Sequence, residues 1–435
     1  MSRNLMLLKH YFDHSFSVLR RSWLLTALII AAIGLGIGAS MTMITVLHVI
    51  SGDPMPERSG KLFYPHLNPA PAEYSQIDPG INFTWPDANN LLHAHRAVRQ
   101  AAMVGGRLAV TPEQGEKSFF GAGHYVSNEF FGMFDAPFSV GSAWDAQADE
   151  ERAPVVVLNG ELARKLYGSA AAAVGQAVRL QGRDFQVIGV LRDWHPEPLF
   201  YGGRAGDWAF KSEDGFFLPL STAMGLKFPT AGGETCWGAG GHTSDQCTWL
   251  QFWIELDTPA QVAAYKSFLA DYWLDQKAHG RALLGTPPQL LGLMHRLDAL
   301  HLVPPNVGLQ VWLAIGFLCV CLFNTVCLML AKFLRRSGEI SIRRAMGASR
   351  ADIFVQFGIE AAVLGLVGGA LGLVLTRFGL WLVHQRPDAY AKLAHLDFTM
   401  VFATVALAIV ANTLAGLLPA WRACRIQPAS QLHVS

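Results

Sequence analysis

Four apolar stretches, each long enough to cross a lipid bilayer, constrain this chain more than any other feature of its 435 residues. A helix needs about 20 apolar residues to span the hydrocarbon. Trp23 to Ile50 carries no charged side chain apart from what His48 can take up. Val311 to Ala331 is broken only by Asn324 and Thr325, Ile353 to Val383 contains Glu360 and Arg377, and the fourth stretch runs from Phe398 to Trp421. The third exceeds the hydrocarbon thickness, so it is expected to tilt, kink or project beyond the lipid. A cleavable signal peptide does not account for the first: its apolar run is too long, and no small-residue cleavage site follows a short one. Composition agrees. Charged residues make up 15% of the chain, against roughly 25% in soluble domains. A 51% hydrophobic content excludes a disordered chain, and a net charge of +1 argues against a nucleic-acid binder. Six cysteines do not make a disulfide-dense scaffold.

Charge then orients the spans. Residues 1–21, the segment 332–350 and the tail from Arg422 together hold twelve basic and two acidic residues, whereas residues 51–307 hold 19 basic and 27 acidic. Basic loops stay in the cytoplasm, so both termini are expected inside and residues 51–307 outside. Leu5, Leu8, Phe12, Phe16 and Leu19 recur at mostly helical spacing, predicting an amphipathic helix over residues 1–21 on the inner membrane surface.

Residues 51–307 are enough for one or two cores. Strands are predicted at 154–158, 176–180 and 184–191, the last two joined as a hairpin by Gln181-Gly182-Arg183-Asp184. Residues 160–167 read as a short helix ended by Gly168. A longer helix starts near Asp257-Thr258-Pro259 and buries Val262, Tyr265, Phe268, Leu269 and Tyr272. The segment is therefore a mixed α/β domain. Cys236 and Cys247, its only cysteines, flank a glycine-rich run and are candidates for a disulfide, two free thiols being the alternative. His93 and His95 come without a metal-site pattern and read as surface histidines; Asp193 and His195 make at most half a triad. No catalytic residue, cofactor site or metal site is expected. An envelope enzyme anchored by four spans is thus the weakest reading.

The loop Ser337-Gly-Glu-Ile-Ser-Ile-Arg-Arg-Ala-Met-Gly-Ala-Ser-Arg-Ala-Asp352 carries the most information. It can form a helix from Gly338 to Met346, stopped by Gly347, with Ser349 and Asp352 capping the third span. Its wording resembles the loop of the FtsX-like permeases: MacB-type macrolide exporters, lipoprotein-releasing permeases and the division protein FtsX. The pattern is filled by Glu339, Ile340, Ser341, Ile342, Arg343, Arg344, Ala345, Met346, Gly347, Ala348 and Ser349, with Ser341 replacing the usual Gly or Ala. The end, Pro419-Ala-Trp-Arg-Ala-Cys-Arg-Ile-Gln-Pro-Ala429, is similar to the family's closing pattern. Phe130-Phe131-Gly-Met-Phe134, Pro154-Val-Val-Val-Leu158 and the run from Gly175 to Val190 resemble the MacB-type periplasmic core domain.

The resemblance implies a membrane α-helical protein with four transmembrane helices, both termini inside, and a large extracytoplasmic mixed α/β domain between helices 1 and 2. The expected organisation is a cytoplasmic N-terminal helix (1–21), transmembrane helix 1 (22–50), a periplasmic MacB-like core (51–307), helix 2 (308–332), a coupling loop (333–351), helix 3 (352–383), an external loop (384–397), helix 4 (398–421) and a cytoplasmic tail (422–435). It implies a permease subunit in the inner membrane that couples ATP hydrolysis by a separate cytoplasmic ABC ATPase to motion of the outer domain, exporting a peptide, antibiotic or lipid-like cargo. ATP and Mg would be used by that partner, because no GxxxxGK[ST] loop occurs in this sequence. In the macrolide exporter the ATPase is fused at the N-terminus, whereas about 20 residues precede the first span here. Glu339, Ile342, Arg343, Arg344, Met346, Gly347 and Ala348 would couple to the ATPase. Gly34, Gly38, Gly365, Gly369 and Gly372 permit close helix packing, and the family's dimerisation makes the first span a candidate seam with a second copy or paralogue, packing within the chain being the alternative. A periplasmic adaptor or outer-membrane partner, contact with lipid and no nucleic acid complete the expected partners. The competing function is a non-transporting regulator that passes ATPase motion to an envelope hydrolase or sensor.

Overall fold

Four long helices carry the four apolar stretches in the computed structural model: a first span Trp23–Ser51, a second Pro305–Leu334, a third Arg350–His384 and a fourth Phe398–Cys424. The structure describes residues 23–71, 82–112, 117–203, 209–210, 214–281, 287–302, 305–335, 338, 342, 346–347, 349–386, 391, 393–394, 396 and 398–424. The expected helix over 1–21 and most of the tail lie outside these. The chain divides into two units, one made of Met1–Ser51 with Val303–Ser435 and the other of Gly52–Leu302.

Within the helical unit, hydroxyls on buried faces return to their own backbone. Thr42 Oγ1 donates to the Gly38 carbonyl at 2.7 Å, Thr325 Oγ1 to Cys321 at 2.9 Å and Thr404 Oγ1 to Met400 at 2.7 Å. Such bonds let a polar side chain sit in a span without an unsatisfied donor. Ser40 Oγ bridges the Gly36 carbonyl and, on the second span, the Ala314 carbonyl at 2.8 and 2.9 Å. Outward faces are apolar, with Trp312, Phe323, Val374 and Phe402 all exposed. A bilayer would cover them.

The unit Gly52–Leu302 is built on strands β1 (Leu62–His66), β2 (Arg99–Thr111), β3 (Phe119–Val126), β4 (Phe138–Gly141), β5 (Val155–Leu158), β6 (Ala177–Leu180), β7 (Arg183–Leu191), β8 (Phe216–Pro219), β9 (Thr230–Ala231), β10 (Thr235–Cys236), β11 (Cys247–Thr248), β12 (Gln251–Glu255) and β13 (Gln289–Gly292). Eleven form one sheet in the order β13-β1-β12-β2-β3-β8-β5-β7-β4, with β6 joining β2 to β7 and β9 on β2, while β10 and β11 form a separate hairpin. Because β6 pairs with both β2 and β7, the path β2-β3-β8-β5-β7-β6 returns to β2. Closure of this ring removes the exposed edges a flat sheet would leave. Alternation supplies its filling: Val178 and Leu180 of β6 and Phe185 and Val187 of β7 are buried while their neighbours face out. Gly106 of β2 has no room for a side chain, since the Tyr125 ring occupies that space.

Local chemistry explains the elements read from the sequence. The β6–β7 hairpin turns on Gln181 and Gly182 alone, at φ of 49° and 77°, so Arg183 and Asp184, expected in the turn, are already strand. The helix Gly160–Tyr167 is capped by the Asn159 side chain and ends on Gly168 at φ 79°. Thr258 and Gln261 form a full capping box for the helix Pro259–Ala278. Tyr265 and Leu269 of that helix are fully buried, while Val262, Phe268 and Tyr272 pack against the core half-buried. The short helix Phe130–Met133 drives Phe130, Phe131 and Phe134 into an aromatic cluster with Tyr201 and Phe217.

Candidate functional site

The second and third spans are joined at one end by an ion pair. Lys332, in the last turn of the second span, places Nζ 2.5 Å from Glu360 Oε1 of the third, and both side chains are only 2% exposed. Either charge alone would be costly at such depth, so the pair is the arrangement that makes both tolerable. Apolar groups enclose the region: Met329, Phe357 and Ala361 are buried, and a Cβ at Gly416 would lie 2.6 Å from the Ala361 side chain. The absent side chain at Gly416 is what lets the fourth span come in, so three spans meet here. From Glu360 the third span runs back to Arg350, about 15 Å of helix at 1.5 Å per residue.

Between Leu334 and Arg350 lies the loop singled out by sequence. The Met346 amide donates to the Ile342 carbonyl at 3.0 Å, a single helical turn, and Gly347 at φ 99° ends it. A side chain at that φ would be strained, which accounts for glycine there. Ile342 and Met346 are 63% and 76% exposed. One turn apart, they present an uncovered apolar pair. Gly338 is helical. Glu339, Arg343, Arg344 and Ala348 lie outside the described residues. Ser349 precedes the third span and its carbonyl accepts from the Ile353 amide at 3.3 Å. The pairing of Lys332 with Glu360 was missed by sequence reasoning, although its signal was present: opposite charges stand at the adjacent ends of successive apolar runs.

The packing glycines are taken up within the chain. A Cβ at Gly34 would lie 2.8 Å from the Leu371 side chain, and one at Gly38 2.7 Å from that of Leu375. Gly372 faces Ile37, Gly369 faces Ala408 of the fourth span, and Gly365 is buried. The small-residue face of the first span is therefore filled by the third span of the same chain. Within the chain, the close backbone approach that the glycines permit is thus made between the first and third spans.

In the unit Gly52–Leu302, Asp193 and His195 make no ion pair or hydrogen bond with each other among the described residues. Asp193 pairs with Arg164 at 3.0 Å, and Asp193 and His195 both line a cleft of about 550 Å³ with Met55, Arg58, Phe134, Asp135 and Trp194. His93 Nδ1 donates to the Asn89 carbonyl of its own helix at 2.8 Å, and His95 is that helix's left-handed cap. Cys236 and Cys247 are joined in a disulfide. Three buried polar groups escaped sequence reasoning, because their partners are remote in the chain. His124 Nδ1 lies 2.8 Å from Asp214 Oδ1, and Tyr201 donates to Asp214 Oδ2 at 2.7 Å; burial, with Asp214 beside it, holds the Tyr201 phenol well above its usual range. Arg281 clamps Asp87, which also accepts from Tyr272 at 2.7 Å. Asp149 accepts from the Asn128 amide at 2.8 Å, yet burial pushes its carboxyl up to about 6.

Comparison with known proteins decides the family. The description "MacB-like periplasmic core domain" matches residues 26–271, more than half of the chain, and "FtsX-like permease C-terminal" matches residues 311–428. This chain belongs to the MacB/FtsX-type ABC permease family. The MacB/FtsX-type permease is 27% identical over 306 residues to the pyoverdine export ATP-binding/permease protein PvdT of Pseudomonas syringae pv. tomato, covering 70% of this chain and 41% of that protein. It is 26% identical over 319 residues to the macrolide export ATP-binding/permease protein MacB of Burkholderia lata, covering 71% of this chain and 40% of that protein. The permease thus spans about two-fifths of the length of these relatives. The crystal structure of the periplasmic region of MacB from Actinobacillus actinomycetemcomitans aligns at 14% identity and a TM-score of 0.37, over 56% of this chain and 94% of that one.

Proposed function

We propose that this permease is the membrane subunit of an ATP-driven export complex in the inner membrane. Both termini and the loop at 333–349 face the cytoplasm, where a separate ABC ATPase docks, and Gly52–Leu302 faces the periplasm. Twelve basic against two acidic residues on the inner segments support this orientation. Two observations support the coupling role: Ile342 and Met346 are exposed in the loop that leads into the third span, and the Lys332–Glu360 pair holds that span to the second. A closing ATPase would grip the exposed turn, and the third span, held to the second at Glu360, would carry the displacement across the membrane. ATP then acts by favouring one of two arrangements through differential contacts. The relatives named above are exporters of pyoverdine and of macrolides, and by extension the cargo here is a peptide, antibiotic or lipid-like molecule. A second permease copy or paralogue and an envelope adaptor or outer-membrane protein complete the complex.

The test is co-purification of the full chain with its ATPase, followed by measurement of Mg-ATP hydrolysis in lipid. Wild type is expected to stimulate hydrolysis. I342D/M346D and R343E/R344E are expected to insert normally and to lose the stimulation. No ATPase at all on the purified chain, or undiminished stimulation in both variants, overturns the reading.

A further inference from the structure

The hairpin β10–β11 holds an arrangement that a disulfide alone does not explain. Glu234 Oε1 sits 3.1 Å from Cys236 Sγ and 3.9 Å from Cys247 Sγ. A disulfide sulfur has no hydrogen to give, and an ionised carboxylate only accepts. With the Cys236–Cys247 bond closed, these contacts bring lone pairs together with no proton between them. The carboxylate is held in place from its other side: His242 Nε2 lies 3.0 Å from Glu234 Oε2. The oxygen of Glu234 and the two sulfurs all lie within 4.8 Å of one another. In a tetrahedral zinc site with bonds of about 2.1 Å to oxygen and 2.3 Å to sulfur, neighbouring ligand atoms stand roughly 3.5 Å apart. The two Glu234–sulfur separations bracket that spacing.

We propose that this hairpin is a thiol-gated site for a borderline-soft divalent cation, Zn²⁺ in the first instance. Glu234, Cys236 and Cys247 are the ligands, and His242 is the group that orients the Glu234 carboxylate. His93 and His95, the histidine pair in this unit that the sequence first brings to mind, take no part; the donors lie between Glu234 and Cys247. In the oxidised state the sulfurs are spent on each other and the site is closed. A dithiol reductant opens it: the S–S bond breaks, two electrons and two protons pass to the sulfurs, and the reductant closes to its own disulfide. Zn²⁺ then binds the two thiolates as their protons leave. The glycines of the run Trp237-Gly-Ala-Gly-Gly-His242 leave the loop able to accommodate either closure. Both fates tie the same two strands, β10 and β11, so the site exchanges one staple for another according to the thiol state of its surroundings.

The experiment uses the full chain in detergent, oxidised or reduced with a phosphine, which takes up water oxygen as it yields two thiols. The chain is incubated anaerobically with ZnCl₂, desalted, and its zinc measured by elemental analysis and by chelator competition. One zinc per reduced chain and none on the oxidised chain is expected, with C236S/C247S retaining none in either state. H242A should bind 10–100-fold more weakly, as loss of an orienting partner does. E234Q keeps the disulfide and the fold, and should bind still more weakly. Reduced wild type that holds no more zinc than oxidised wild type overturns the proposal. So does full zinc on C236S/C247S, which would place the metal elsewhere on the chain.

Discussion

Asp149 offers a prediction whose size follows from its surroundings. Its carboxyl is partly buried between the Asn128 amide and the Ser221 hydroxyl, and burial raises its pKa from 3.8 to about 6. A raised carboxylate pKa means that between these values the folded chain binds more proton than the unfolded chain. Stability from this group is therefore present at low pH and lost as pH rises through about 6. Taking the two pKa values, the gain at pH 5 relative to pH 8 is about 1.4 kcal/mol, or about 1 kcal/mol once partial exposure is allowed for. Asp149→Asn keeps the shape and an acceptor oxygen but cannot titrate. Melting temperatures of wild type and D149N, measured in detergent at pH 5, 6.5 and 8, give the difference directly, because every other titrating group is shared. Wild type should gain about 2–4 °C on the variant between pH 8 and pH 5. A difference that stays flat, or that moves in favour of D149N as pH falls, would refute the reasoning from burial.

Other perturbations test the packing and the charges. Lys332→Met alone leaves Glu360 buried without its lysine and should cost about 3–5 kcal/mol, whereas K332M/E360M should recover most of that loss; thermal unfolding in detergent checks both. Gly38→Val places a side chain against Leu375 and the Gly372 carbonyl and should destabilise the helical unit by about 1–3 kcal/mol, with Gly60→Ala, where nothing is near, close to neutral in the same assay. Arg281→Met leaves the buried Asp87 carboxylate without its guanidinium and should lower the melting temperature, an effect that Asp87→Asn in the same chain should partly reverse.

What could be read from the residues, and what could not, follows from the reach of each interaction. The four spans were legible because a bilayer imposes one long, local requirement. The helices at 160–167 and 259–278 were legible because Asn159, Gly168 and the Thr258–Gln261 box act within a few residues. Ring closure through β6 was not, since nothing local tells Leu180 that it will lie against Val110. The same holds for His124 with Asp214, and for Asp87 with Arg281, which are 194 residues apart. Glycine spacing revealed that backbones would approach closely but not whose backbone; within the chain, Leu371 and Leu375 of the third span face Gly34 and Gly38. Glu360 was visible as an ion in one apolar run and Lys332 as a charge at the near end of the run before it, but only the fold shows that the two meet.

Hydrogen exchange on the full chain bound to the proposed partner ATPase, compared between nucleotide-free and ATP-trapped states, tests the coupling most directly. Displacement entering at 333–349 and passing along the third span predicts altered protection within residues 52–302 on ATP binding, and loss of that change in R343E/R344E. Changes confined to the loop, with residues 52–302 exchanging identically in both states, would contradict it.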